Sequence, residues 1–256
     1  MARGYALLLQ ARHTGDGQRR EPLIAEAVAA FKDTYQLAGP TVQVQALIGA
    51  AQGYLLMQSP RRRFPFLWQA TPLQRAEKSL QQALFLQPNN AAAILLLALV
   101  YQRQAWLAQA QQAASLQRSR AYLERAAELG LPVRLTPDTT PPGNLPIPLF
   151  DVQDPIVVLR YVDARGAGQT DDLVFIYRPH VAQKALFGVV VTAGKTYPLI
   201  ADRTTGTLAH APVVYDLEVV SQQDNRPILT VTISHGVQLV EERFVWNSNS
   251  FIHLEH

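Results

Sequence analysis

The eleven residues Ala91 to Tyr101, AAAILLLALVY, carry no charged or amide side chain in any register, so a helix built from them has to be surrounded by protein. They are about half the roughly twenty residues that a membrane span requires, which marks a buried helix instead. Pro88, just upstream, has no amide proton to donate and ends the preceding helix. Two helices joined by the short Pro88-Asn89-Asn90 junction are therefore the first fixed point in the chain.

Small and large residues around that junction follow one spacing. Ala76, Leu80, Ala83 and Pro88 precede it, Ile94, Leu97, Ala98 and Tyr101 follow it, and Leu47, Ala50, Ala51 and Tyr54 repeat the second set upstream. Ala83 and Ala98 lack bulk, so antiparallel helices can approach there, while Leu80 and Tyr101 fill the space between turns. This pattern resembles the 34-residue tetratricopeptide (TPR) repeat, with Leu123, Ala126 and Leu131 continuing it from Ser119. Two departures are visible. Twenty-one residues separate Tyr54 from Ala76, including SPRRRFPFLWQATP, and seventeen separate Tyr101 from Ser119, rich in Ala, Gln and Leu and read as longer helices. The first unit is the weakest, with helical spacing over Tyr5 to His13 and Pro22 to Leu37, a break at Thr14 to Gly17, and Ala27, Phe31 and Gly39 near the second-helix positions.

After Leu131 the helical period stops. Six prolines between Pro132 and Pro148 forbid helix and read as a stiff connector. From Asp151 the chain turns to Val, Ile, Thr, Tyr and Phe in short runs, expected as strands over 156–162, 173–177, 187–192, 197–201, 213–221, 228–234 and 238–246. Turn residues at Ala193-Gly194-Lys195, Asp224-Asn225-Arg226 and His235-Gly236 imply antiparallel hairpins, and Phe244, Trp246 and Phe251 flank a last hairpin at Asn247 to Ser250. The expected fold class is α+β multidomain: a TPR-like α-helical repeat array over 1–132, a proline-rich linker over 133–150, and a mostly antiparallel β-sandwich or small barrel over 151–253, with an immunoglobulin-like topology as the default from strand count. Leu254, Glu255 and His256 read as the remnant of an appended tag, and a leader or anchor removed upstream is consistent with that reading.

Composition narrows the chemistry. There is no cysteine, which excludes disulfides, thiolate metal sites and cysteine nucleophiles. The net charge of +3 conceals an asymmetry: residues 1–132 hold 14 Lys or Arg against 7 Asp or Glu, and residues 133–256 hold 9 against 13. A helical half at +7 beside a β half at −4 points to an acidic partner or to mutual attraction.

Motifs that could carry chemistry are weak. Ala193 to Thr196, AGKT, resembles the tail of a phosphate-binding loop, but Val189 stands where the earlier glycine belongs and Pro198 blocks the following helix, so a hairpin turn suffices. His13, His180, His210, His235 and His253 occur singly without metal-ligand spacing, and Ser234 beside His235 points to the opposite sheet face. Asp163, Asp171 and Asp172 flank ARGAGQT without the spacing of a calcium loop and read as a solvated turn. Arg61, Arg62 and Arg63, with Phe64, Phe66 and Trp68, form an arginine and aromatic group suited to an acidic peptide or an anionic membrane surface, with nucleic acid ranked lowest because one triplet is a small phosphate footprint; the equal alternative is that the aromatics pack on the helices while the arginines stay solvated.

In the repeat family the first helices of successive units line a concave surface. What the resemblance implies is a trough lined by Gln45, Ile48, Gln52 and Leu55, then by Ala92, Leu95, Leu99 and Gln102, apolar with scattered amides and without the lysine and asparagine set that clamps a C-terminal carboxylate in some members. The expectation is a non-catalytic scaffold or assembly factor that holds a protein or peptide partner in this trough, with no cofactor and no metal. The alternative is that the β half binds a ligand, such as a carbohydrate or cell-envelope polymer, or acts as an enzyme, and that the helices present it.

Overall fold

The structure is a computed structural model that describes residues 1–14, 16–57, 71–107, 112–135, 148–179, 185–200, 213–221, 227–235 and 238–254. The chain divides into two units, Met1–Ala126 and Ala127–His256. It is an α+β protein, and the described residues form six helices in the N-terminal half and two antiparallel four-stranded sheets in the C-terminal half.

The helices are α1 (Ala2–His13), α2 (Gly17–Leu37), α3 (Pro40–Leu56), α4 (Pro72–Leu86), α5 (Ala91–Leu107) and α6 (Gln112–Glu128). Their starts follow from local chemistry. Asp16 accepts the amide of Gln18 at 2.9 Å and opens α2 five residues before Pro22, which then sits inside the helix and cannot donate to the preceding turn. Thr71 and Gln74 form a reciprocal capping box at α4, with Pro72 at its first position. Asn90 is buried and caps α5 by accepting the amide of Ala93 at 3.0 Å, so the Pro88-Asn89-Asn90 junction ends one helix and begins the next.

Successive helices from α1 to α5 pack on one another, and α3 also touches α1 and α5. Phe31 of α2 is the wedge of the first three helices. Its ring lies against Gly4 of α1 and Gly49 of α3, where a Cβ would overlap it, and meets Tyr5 edge-on at 5.0 Å. Further along, Ala76, Leu80, Ala83, Ala98 and Ala126 are buried, as their spacing requires. Ser119 of α6 donates to the carbonyl of Ala98 at 2.9 Å, and Tyr122 stacks on Tyr101 with ring centroids 5.6 Å apart.

In the second unit the strands are β1 (Ile156–Val162), β2 (Asp172–Tyr177), β3 (Phe187–Thr192), β4 (Lys195–Ile200), β5 (Val213–Ser221), β6 (Pro227–His235), β7 (Gln238–Trp246) and β8 (Phe251–Leu254). One sheet has the order β1-β2-β3-β4 and the other β5-β6-β7-β8. Both are simple meanders, so the strand-crossing order of an immunoglobulin-like domain, expected from strand count, is replaced by consecutive hairpins. The sheets meet along both margins: β1 lies near β5, where Arg160 donates to the carbonyl of Leu217 at 3.0 Å, and β4 lies near β8, where Tyr197 meets Trp246 edge-on at 4.9 Å. Every residue of β2 and β3 is buried, whereas β5 and β7 alternate between buried and exposed residues.

The segment expected as a linker contributes to this unit at both ends. Val133 forms a parallel bridge with Phe150, flanked by hydrogen bonds from Arg134 N to Phe150 O at 2.8 Å and from Phe150 N to Pro132 O at 2.7 Å. Phe150 then packs edge-on against Phe175 and Tyr177. Gly130, with φ +89°, is held by the hydroxyl of Thr196, so the chain joins the β unit directly after α6. Leu254, expected to belong to an appended remnant, continues β8 and pairs with Arg243.

Candidate functional site

The trough expected between α3 and α5 is not an open surface. Leu95 is 0 % exposed, Ile48 1 % and Gln52 4 %, and Ala92 and Leu55 are buried as well, while Gln45, Leu99 and Gln102 are half-buried. The cause lies in the sequence of these two helices. From Ala46 to Leu55 and from Ala91 to Ala98 every residue is apolar, glycine or Gln52, and every one is buried, so neither helix keeps a solvent face over that length. Five of the eight positions carried over from the repeat family, Ile48, Gln52, Leu55, Ala92 and Leu95, are therefore core positions here. Arg61, Arg62, Arg63 and Trp68 lie outside the described residues.

What the fold does gather is arginine. Arg20 of α2 donates to the carbonyl of Leu56 at 3.3 Å, Arg103 of α5 donates to the carbonyl of Leu55, and Arg12 of α1 donates to the side chain of Gln52 at 3.3 Å. Two helices thus bring a guanidinium each to the last turn of α3, and a third places one a turn further back. The last carbonyls of a helix lack intrahelical donors and carry about half a negative charge, so cations near them are favoured. Half a charge does not balance three cations. Burial, and then the positive field of Arg20, bring Arg12 down to about 10. Neither Arg20 nor Arg103 has a carboxylate partner among the described residues, and the Nε of Arg20 is buried without a hydrogen-bond acceptor there. Sequence reading passed over these three because they are far apart in the chain, and only the helix order shows that they converge.

A second polar group links α4 to α5. Tyr101 donates to Glu77 Oε1 at 2.9 Å, and Gln104 and Gln81 donate to the same carboxylate at 2.8 and 3.2 Å. Burial, then the bond to Glu77, push the Tyr101 phenol up to about 12. This network is internal and joins helices.

Sites suggested in the β half resolve into structure. Asp172, 0 % exposed, accepts from Arg165 Nε at 2.6 Å and from the Arg165 amide at 3.0 Å. Asp163 accepts the amides of Ala167 and Gly168, both at 2.8 Å. Both carboxylates are turned inward to shape the ARGAGQT loop, and no group of three residues able to hold a metal occurs among the described residues. The AGKT segment is the β3–β4 turn, with Ala193 at φ 49° and Gly194 at φ 73°. His180 and His210 lie outside the described residues. His253 meets Glu242 at 2.5 Å, a pair that sequence analysis missed. Its trace was there: Glu242 alternates with Val240 and Phe244, so its carboxylate falls on the sheet's inner face, and it is 2 % exposed.

No family model matches the chain, and comparison with curated proteins and with solved structures returns no match. No helix among the described residues is long and apolar enough to cross a membrane.

Proposed function

We propose that the protein is a non-catalytic scaffold or assembly factor whose helical unit, a TPR-like array, holds a partner protein. The observation that carries this reading is the packing order of the helices. Each helix from α1 to α5 packs on the next while α1, α3 and α5 touch in turn, as stacked helix pairs do. The buried small residues Ala76, Ala83 and Ala98 sit where such pairs need close approach. Because Ile48, Gln52, Leu55 and Leu95 are consumed by the core, the binding surface in this reading draws on half-buried Leu99 and Gln102 and on the arginines around the end of α3, together with Arg61, Arg62, Arg63 and Trp68, which lie outside the described residues.

Crosslinking of the full chain in its native host, followed by identification of the attached protein, tests the reading. A stoichiometric partner lost on Gln102→Ala or on neutralising Arg61, Arg62 and Arg63, and kept on Leu239→Glu in β7, is the expected result. A partner lost only with Leu239→Glu would assign the contact to the β unit and overturn it.

A further inference from the structure

Two exposed faces of this chain carry the same order of chemistry with opposite charge. On α4, Arg75, Lys78, Gln82 and Phe85 recur at spacings of three and four, so they form one stripe, turned away from the buried Ala76, Leu80 and Ala83. The stripe is cationic where the helix begins and apolar where it ends, with Phe85 86 % exposed and Leu86 exposed beside it. Gln82 donates to the Tyr35 hydroxyl at 2.6 Å, which sets the end of α2 next to α4, and Leu37, the last residue of α2, is 89 % exposed. Arg75 and Lys78 have no carboxylate partner among the described residues. A single apolar side chain in water is ordinary, but three large ones at one end of two neighbouring helices mark a contact surface.

The outer face of the β5–β8 sheet is the complement of that stripe. Along β5, Asp216, Glu218 and Val220 are exposed and alternate with Leu217 and Val219, which turn inward. The ladder register extends Val220 through Ile228 and Val245 to Ile252, an apolar row across all four strands, with Val220 and Ile252 exposed at its two ends. Asp216 and Glu218 lie level with Glu241 and Arg243, which pair with each other at 2.8 Å. That pairing leaves Asp216 and Glu218 without a cation among the described residues.

We propose that a second copy of this chain covers these faces: α4 of one copy lies along β5 of another, with Arg75 and Lys78 against Asp216 and Glu218 and Phe85 against the Val220–Ile252 row. The lengths agree. From Arg75 to Phe85 the helix rises about 15 Å. From Asp216 to Val220 the strand advances about 13 Å. The charges agree over the whole chain as well, since residues 1–132 carry 14 Lys or Arg against 7 Asp or Glu and residues 133–256 carry 9 against 13, which favours approach of one copy's helical unit to another's β unit. An anionic membrane suits α4 less well. A helix lying in a membrane surface divides polar from apolar around its axis, whereas the exposed stripe of α4 divides them along it. Each copy offers one face of either kind, so the contact is head-to-tail. This inference goes beyond the scaffold reading and does not depend on it.

Sedimentation velocity of the full chain, from low to high micromolar concentration, tests it. The expected result is a mass that rises with concentration, through an association weakened on the order of tenfold by Phe85→Gln and by Val220→Gln. Trp106→Gln, which removes an exposed aromatic from the end of α5, is expected to leave it unchanged. Lys78→Glu and Glu218→Lys should each weaken the association, and a chain carrying both should recover part of the loss. An equimolar mixture of the Phe85→Gln and Val220→Gln chains should associate more strongly than either alone, because the first keeps an intact sheet face and the second an intact α4. All of these side chains are exposed, and circular dichroism of each variant accompanies the measurement. Vesicles of phosphatidylcholine with phosphatidylserine are run beside the protein. A mass that stays monomeric throughout, association unchanged in Phe85→Gln or Val220→Gln, equal loss in Trp106→Gln, no recovery in the charge-exchanged chain, no gain in the mixture, or vesicle binding lost with Phe85→Gln would each overturn the proposal.

Discussion

Phe31 of α2 occupies the space that a side chain on Gly49 of α3 would need. Gly4 of α1 approaches the same ring from the other side, where a Cβ would lie 2.7 Å from it. One aromatic ring thereby sets the distance between three helices. Alanine in place of helical glycine ordinarily stabilises by about 1 kcal/mol. Gly49→Ala is expected to do the opposite and cost about 1–3 kcal/mol through overpacking, and Phe31→Leu in the same chain should recover part of that loss. Urea unfolding of the two single variants and the double variant measures it. A stabilised Gly49→Ala would mean that the ring does not sit on the glycine.

Tyr101 gives a pH dependence with a definite sign. Its phenol is raised from 10.0 to about 12, so between those values the folded chain keeps a proton that the unfolded chain releases, and its contribution is lost as pH rises through the window. Arg12 works the other way. Its folded value is lowered from the ordinary guanidinium range to about 10, so over nearly the same range the unfolded chain holds the extra proton and stability rises with pH. The wild-type curve alone therefore does not isolate Tyr101, but its difference from Tyr101→Phe does. At neutral pH the variant should be less stable by about 1–3 kcal/mol, the worth of a hydrogen bond to a carboxylate. That deficit should vanish by pH 12, read by urea unfolding across the range and by tyrosinate absorbance. A deficit that persists unchanged into alkali would show that the phenol titrates normally.

Much of the architecture was legible because short-range rules decided it. The β1, β3, β5 and β7 bounds coincide with the runs read from β-branched and aromatic composition, and the last hairpin pairs Trp246 with Phe251 across Asn247 to Ser250 as its aromatics suggested. The start of α2 was missed because Pro22 reads as a first-turn residue, whereas Asp16 supplies the stronger signal six residues earlier. The functional surface was harder to read. Repeat spacing places Ile48 and Leu95 on an outward face, yet it does not register that every neighbour from Ala46 to Leu55 is apolar, glycine or Gln52, which leaves no polar face to turn outward. Arg12, Arg20 and Arg103 follow no local pattern, because convergence on one helix end is a property of the helix order.

Asp171 and Asp172 are adjacent in sequence and opposite in consequence. Asp172 is fully buried and takes two hydrogen bonds from Arg165, while Asp171 is exposed and 3.4 Å from the same guanidinium. Asp172→Asn leaves Arg165 facing a neutral amide within the β1–β2 hairpin and is expected to cost about 2–4 kcal/mol, at the lower end because Arg165 is partly solvated. Asp171→Asn should change stability by less than about 0.5 kcal/mol. Chemical unfolding of both decides the matter, and equal effects would mean that burial does not distinguish the two carboxylates.

Leu95 and Gln102 separate core from surface on a single helix. Both occupy positions that line the open groove in the repeat family, but Leu95 is 0 % exposed and Gln102 is half-buried. Leu95→Glu places a carboxylate where water does not reach, and the expected cost of more than about 4 kcal/mol is comparable to the whole stability of many domains. Gln102→Ala deletes a partly solvated amide and should change stability by less than about 1 kcal/mol. Circular dichroism and thermal melting of the two variants test this, with loss of the helical signal expected for Leu95→Glu and retention for Gln102→Ala. If Leu95→Glu folds with wild-type stability, position 95 faces solvent, the trough is open after all, and the proposed binding surface moves to the face between α3 and α5.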